Sequence, residues 1–114
     1  MYPPKHFVKQ RIAPDVSGSV LLGQIETEAN KYIDDAEVFI VKLSPARGTQ
    51  GSGHAIGIHL PVRGVLHIFD SNIGEFNFPN NNADRVAFLN EWWSLFYSGR
   101  FASWQLEEVR GGHY

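Results

Sequence analysis

The residues best suited to chemistry in this chain are a histidine and an aspartate at the two ends of a predicted hairpin. His54 opens the apolar segment HAIGIHL, and Asp70 closes the segment VLHIFD. In acyl-transfer reactions an imidazole removes the proton of a nucleophile, and a carboxylate bonded to its other ring nitrogen fixes the tautomer. The pair therefore predicts a general base and the group that orients it. The alternative is a hydrogen-bonded polar pair that only stabilises the end of a sheet.

A nucleophile for this base is not evident, because none of the 114 residues is a cysteine. The same absence excludes a disulfide framework and a thiolate metal site. Ser17 and Ser19 stand at the start of a predicted helix, whose dipole would lower the pKa of a nucleophile there. Either serine could substitute for a cysteine, although Ser19 is more simply explained as the cap of the helix.

The two other histidines of the hairpin do not predict a metal site. His59 and His67 fall on the strand face opposite His54. Two imidazoles without a nearby cysteine or acidic third ligand are weak evidence for zinc, and partly exposed sheet histidines explain them. We therefore predict neither a metal nor another cofactor.

The apolar pattern of the hairpin decides where His54 and Asp70 lie. Alternating apolar residues follow both strands on the faces that carry this pair: Ile56, Ile58, Leu60, Leu66 and Ile68. The two apolar sets share one face only if the connecting loop has an odd number of residues, and we expect a three-residue loop drawn from residues 61–64. Residues directly opposite each other across strands have Cβ atoms about 4.5–5.5 Å apart, which suits an imidazole–carboxylate hydrogen bond.

Periodicity and turn residues predict the remaining elements. Residues 1–18 contain several helix and strand breakers and are expected to form an extended lead-in to an α+β core over residues 19–110. The expected elements of that core, besides the hairpin, are a helix over 19–33, a central strand over 37–43, a flexible loop over 44–53, a short strand over 75–78, a helix over 83–98 and a strand over 103–109. We therefore predict a single α+β domain over residues 1–114, with an antiparallel sheet of about four to five strands packed with two helices.

The second helix is expected to bury an aromatic face. Its apolar residues recur at helical spacing: Val86, Leu89, Trp92, Trp93 and Phe96. Asn82 is expected to cap its start and Gly99 to end it. Trp92 and Trp93 could shield the His–Asp hydrogen bond from water, or one could lie in the core and the other at its edge.

Composition and charge restrict the partners. A formal net charge of −2 and a pI near 6.2 provide no basic field for nucleic acid or an anionic membrane. The apolar runs are too short for a membrane span, and the first ten residues lack a signal-peptide core. We therefore expect a soluble protein whose partner is a protein or peptide.

Two segments resemble the C-terminal motifs of the YopT-like cysteine protease effectors. These segments are GHAIGIHL (Gly53–Leu60) and HIFDSNIGEF (His67–Phe76). In that family the first motif carries the catalytic histidine, matched by His54, and the second carries the catalytic aspartate, matched by Asp70. The resemblance covers roughly residues 37–109. It implies a papain-like fold, of which this chain would form the sheet half, and a secreted bacterial virulence effector that acts in the host cytoplasm.

The resemblance fails at the nucleophile, because the family's cysteine lies upstream of the histidine motif and nothing here matches it. The chain could be the C-terminal part of a protein whose Cys-bearing segment completes the site, or Ser17 or Ser19 could substitute. It could also be a protease-like domain that lost its nucleophile. Two functions follow. One is a cysteine peptidase domain or its C-terminal part, expected to be inactive as this chain alone. The other is a non-catalytic protein-binding module that uses the groove beside His54 and the loop over 44–53.

Overall fold

A computed structural model of the chain describes residues 5–31, 38–48, 51–61, 65–78 and 82–109. Its elements are β1 (Lys5–Arg11), α1 (Gly18–Asn30), β2 (Val38–Ser44), β3 (His54–His59), β4 (Leu66–Asp70), β5 (Gly74–Phe78), α2 (Asn82–Phe96) and β6 (Ser103–Glu108). The strands form one sheet in the order β1-β6-β2-β3-β4-β5, and every neighbouring pair is antiparallel. The predicted α+β class, an antiparallel sheet packed with two helices, is therefore confirmed, with six strands instead of four to five.

The additional strand is β1, in the segment that the sequence predicts as an extended lead-in. It pairs with β6 at one edge of the sheet, where Lys9 lies opposite Gln105 and Arg11 opposite Ser103. A strand at an edge is held largely by main-chain hydrogen bonds along one side, so it does not need the alternating apolar pattern of a central strand. Its sequence KHFVKQR accordingly gives a weak strand signal.

The sheet buries one face against both helices. Apolar residues of the four central strands, β6, β2, β3 and β4, point to this side and form a continuous core with apolar residues of α1 and α2. This core includes Leu21, Leu22, Ile25, Phe39, Val41, Leu43, Ile56, Ile58, Leu66, Ile68, Leu89, Trp92, Trp93, Trp104 and Leu106. The opposite face carries the exposed Val38 and Phe69. Position three in the strand order makes β2 a central strand, as predicted. Neither of the two described helices has the length and apolar character needed to cross a membrane.

Helix α1 starts with a different cap from the one predicted. The side chain of Ser17 accepts a hydrogen bond from the backbone N–H of Val20, whereas Ser19 lies inside the first turn. Gly18, between them, packs closely against Leu89 and Trp93 of α2. The predicted end of this helix, at residues 32 and 33, lies outside the described residues.

Helix α2 differs from its predicted pattern at both ends. Asn82 is its first residue and not its cap, and the residue before it lies outside the described part of the chain. Val86 and Phe96 are 43% and 44% exposed, so the expectation that they join the buried face is wrong. The buried stripe instead continues from Trp93 to Tyr97, which takes the inward position beyond the last helical turn and leaves Phe96 outside. The helix ends at Phe96, two residues earlier than predicted, so Gly99 does not directly follow it, although its φ of 77° is the left-handed conformation expected of it.

The hairpin register confirms the predicted parity. Ile58 lies opposite Ile68, so His54 and Asp70 share the face that packs against the helices. The last described pair is His59 and His67, and Leu60 and Leu66 beyond it are buried. The predicted loop lies in residues 61–64, of which 62–64 are outside the described part of the chain.

Candidate functional site

The structure brings His54 and Asp70 into direct contact at one end of the sheet. His54 is the first residue of β3 and Asp70 is the last residue of β4, and these ends meet because the strands are antiparallel. The expected direct opposition is wrong, since Asp70 lies opposite Ile56. His54 reaches it diagonally, and its Nε2 lies 2.9 Å from Asp70 Oδ1. The observed register is displaced by two residues from direct opposition, and an even displacement preserves the shared face.

Asp70 is a buried carboxylate that accepts four hydrogen bonds. Its Oδ1 accepts from His54 and from the backbone N–H of Asn72 at 3.0 Å. Its Oδ2 accepts from Trp92 Nε1 at 3.2 Å and from the hydroxyl of Tyr97 at 2.5 Å. An ionised carboxylate offers about four acceptor positions and no donor, so this surrounding set of donors matches the charged form.

The environment of Asp70 favours its ionised form. Burial acts to raise the pKa of this carboxyl, but the hydrogen bonds from Tyr97, the Asn72 backbone, His54 and Trp92 more than offset it and hold the pKa below its usual range. A group whose folded-state pKa is depressed stabilises the fold above its unfolded-state pKa. That contribution is lost as the pH falls through the folded-state pKa.

The bond to Asp70 determines which nitrogen of His54 is available for chemistry. Nε2 lies within hydrogen-bond distance of Asp70 and of the Tyr97 hydroxyl, which is 3.1 Å away. A carboxylate can only accept, so the proton sits on Nε2 and Nδ1 keeps the lone pair. The ring also stacks on Tyr97 with centroids 5.2 Å apart and planes 21° from parallel. The side chain is 14% exposed, so part of the imidazole is accessible to solvent.

Tyr97 is the member of the site that the sequence did not predict. It follows the last residue of α2, and its hydroxyl contacts both His54 and Asp70. Its spacing of four residues from Trp93 was the available signal, because a tyrosine that extends an apolar helical face places its hydroxyl toward the core.

The environment of Tyr97 predicts a loss of stability in base. Burial and the hydrogen bond to Asp70 raise the pKa of Tyr97 from 10.0 to about 12. Its contribution to folding is therefore complete below pH 10 and is lost as the pH rises through 12. We expect the free energy of unfolding of the native chain to fall by about 2–3 kcal/mol over this interval, relative to a Tyr97→Phe variant. Urea unfolding of both proteins across this interval measures the difference, and parallel profiles would contradict it.

Both tryptophans of α2 are buried, so the expectation that one lies at the edge of the core is wrong. Trp92 and Trp93 are each 3% exposed. Trp92 donates to Asp70 and packs edge-on against Tyr97, with ring centroids 5.3 Å apart. It thereby encloses the carboxylate, which is the shielding that the sequence suggested.

The structure engages the two candidate serines elsewhere. The hydroxyl of Ser17 caps α1 and lies 3.5 Å from that of Ser19, whose backbone N–H donates to Asn90 Oδ1 at 2.8 Å. Within the described part of the chain, the hydrogen bonds of His54 go to Asp70 and Tyr97 and to neither serine.

His59 and His67 form a separate pair on the opposite face of the sheet. They are direct cross-strand neighbours, and their rings meet edge-on with centroids 5.2 Å apart. Among the described residues no three side chains of the types His, Cys, Asp and Glu are grouped in a way that could hold a metal ion.

Comparison of the chain with protein-family models, with curated proteins and with solved structures gives no match in any of the three. The geometry of the site and the resemblance of its two motifs therefore carry the functional interpretation.

Proposed function

We propose that this chain is a YopT-like cysteine peptidase domain, or its C-terminal part, in which His54 is the general base and acid and Asp70 orients it. One observation carries the proposal. A buried aspartate with all its acceptor positions filled holds Nε2 of a partly exposed histidine, so that Nδ1 keeps its lone pair. A rigid base of this kind is what acyl transfer requires.

In the proposed reaction, Nδ1 of His54 takes the proton of a thiol supplied by another segment, since the chain has no cysteine. The thiolate attacks the carbonyl carbon of a peptide bond, and the imidazolium then protonates the leaving amine as the carbon–nitrogen bond breaks. Water, deprotonated by the same nitrogen, hydrolyses the thioester and restores the thiol. Asp70 stabilises the imidazolium in both halves of the reaction. The motif resemblance also supports a secreted effector that acts in the host cytoplasm.

The exposed Ser52, two residues before His54, is a position at which an introduced thiol can test the base. Residues two apart along an extended chain lie on the same side of it, about 7 Å apart. We therefore expect a cysteine introduced as Ser52→Cys to lie near the imidazole and to react rapidly below neutral pH.

The experiment compares the iodoacetamide alkylation rates of Ser52→Cys alone and with His54→Ala, with Ser94→Cys, on the exposed side of α2, as the control. We expect the Ser52→Cys thiol to react about tenfold faster at pH 6.5 than the Ser94→Cys thiol, because a neighbouring imidazolium lowers the pKa of a thiol below the ordinary value of about 8.5. Removing His54 should abolish most of this advantage. A thiol at residue 52 whose reactivity does not depend on His54 would contradict an accessible base.

The second candidate is a non-catalytic binding module on the same fold. The observation in its favour is that every hydrogen bond of Asp70 stays inside the domain, as in a purely structural cluster. A His54→Ala variant separates the two functions. It should abolish the enhanced thiol reactivity in the Ser52→Cys background, whereas a binding module would retain its affinity for its partner.

A further inference from the structure

The end of the sheet that carries His54 also carries a groove. Antiparallel pairing places the last residues of β1 and β2 and the first residues of β6 and β3 at this end: Arg11, Ser44, Ser103 and His54. A cleft of about 970 Å³ opens at the ends of β1, β6 and β2. A second cleft of about 390 Å³ continues from it to the turn after α2 and shares four lining residues with it: Ile12, Pro14, Ala46 and Ala102.

The groove formed by these two clefts is lined by cations around an apolar floor. Its charged residues, all exposed, are Lys9, Arg11, Arg47 and Arg100. We call this surface the basic groove. It contains four of the ten lysines and arginines of the chain and none of its twelve acidic residues, although the net charge of the chain is −2.

The cations of the basic groove also differ from the other cations in their partners. Elsewhere in the described part of the chain, Lys31, Lys42 and Arg85 each form an ion pair with a glutamate. No ion pair with a described carboxylate is formed by the four groove residues. Arg100 is held in place by a hydrogen bond to the Phe96 carbonyl and by the Phe101 ring, 5.8 Å away. Positive charge is therefore concentrated and uncompensated at this end of the sheet.

We propose that the basic groove binds an acidic segment of a protein partner and presents the adjoining residues to His54. The cations match carboxylate side chains, and the floor of proline, alanine and isoleucine suits the apolar portions of an extended peptide. The groove adjoins the site along the chain, because Gly51 lines the groove near Pro45 and His54 is three residues after Gly51. A nucleic acid fits less well, because the rest of this acidic surface would repel its phosphates.

As a substrate site, the basic groove rests on the proposed peptidase function, but binding can be measured without catalysis. The probe is a fluorescein-labelled peptide of about eight residues, roughly 26 Å long when extended, with alternating Glu and Ala. A matched peptide has Gln in place of every Glu. Fluorescence anisotropy with the whole chain gives the affinity of each, at about 0.05 M and at about 0.3 M NaCl.

The test variant is Arg47→Glu, and the control is Lys31→Glu, which makes the same change in net charge on α1, away from the groove. We expect the Glu peptide to bind at least about fivefold more tightly than the Gln peptide at low salt, and Arg47→Glu to weaken it about tenfold, since reversal replaces an attraction by a repulsion. Lys31→Glu should change the affinity by less than about twofold. The higher salt concentration should remove most of the preference.

Three results would overturn the basic groove as an acidic-peptide site: equal binding of the Glu and Gln peptides, equal weakening by Arg47→Glu and Lys31→Glu, or tighter binding of a single-stranded oligonucleotide than of the Glu peptide. His54→Ala distinguishes this proposal from the peptidase function. It should leave peptide affinity unchanged while it abolishes the enhanced reactivity of the Ser52→Cys thiol. A chain with His54 that does not prefer the Glu peptide would overturn only the basic groove, and a Ser52→Cys thiol without His54-dependent reactivity would overturn only the peptidase function.

Discussion

An Asp70→Asn variant is expected to be less stable than the native chain by about 3–5 kcal/mol, because it breaks a buried charged cluster from within. Asparagine keeps one carbonyl oxygen but turns an NH₂ group toward neighbours that are themselves donors: the Trp92 indole, the Tyr97 hydroxyl, the Asn72 backbone and His54. At least one of those donors must lose its acceptor. Urea unfolding at neutral pH measures the loss.

The matched control is Glu75→Gln, the same change of a carboxylate to an amide at an exposed residue of β5. It should change the free energy of unfolding by less than about 0.5 kcal/mol. Acid provides a second check. Stability of the native chain should fall as the pH drops below the usual aspartate pKa of 3.8, and the fall should be shallower in Asp70→Asn. A variant as stable as the native chain would mean that Asp70 is not the acceptor for these donors.

A Gly18→Ala variant is expected to lose about 2–3 kcal/mol, since the added methyl group has no space. A Cβ at this position would lie 2.0 Å from the Leu89 carbonyl oxygen and 2.7 Å from Trp93 Cβ. The nearest obstacle is main chain, which cannot rotate away, so α1 and α2 must move apart. Thermal or urea unfolding should register the change.

Gly23→Ala, in the same helix, should have the opposite effect. A Cβ there meets nothing within 4 Å, and alanine is favoured over glycine inside a helix by about 0.5–1 kcal/mol. The two substitutions add the same atoms to the same element, so their difference isolates the close packing of α1 on α2. Equal effects of both would contradict that packing.

Alternation of apolar residues was enough to predict the part of the site that lies on the hairpin. The pattern of Ile56, Ile58 and Ile68 predicts that His54 and Asp70 lie on the same face of the hairpin, as they do in the structure. The exact partners could not be predicted, because parity leaves a slip of two residues open and the position of the turn decides between registers. The strand β1 was missed since an edge strand needs little apolar pattern, and its pairing with β6 joins opposite ends of the chain.

Tyr97 shows a second limit on what sequence patterns can predict. A tyrosine near the end of an amphipathic helix predicts burial of its ring, but the target of its hydroxyl depends on how the helix crosses the sheet. That crossing is set by contacts such as Gly18 against Trp93, between residues far apart in the sequence. Local patterns therefore predict the elements and the His–Asp pair, whereas tertiary packing determines the remaining donors to Asp70.

The contact of Tyr97 with His54 also makes the orientation of the histidine depend on the docking of α2. The two residues are 43 positions apart, and Asp70 and Tyr97 are 27 apart, so the contacts that complete the polar cluster join distant parts of the chain. Displacement of α2 from the sheet would remove the Trp92 and Tyr97 donors from the carboxylate and the ring that stacks on the imidazole. An oriented histidine is therefore a property of the complete tertiary fold and not of the hairpin alone.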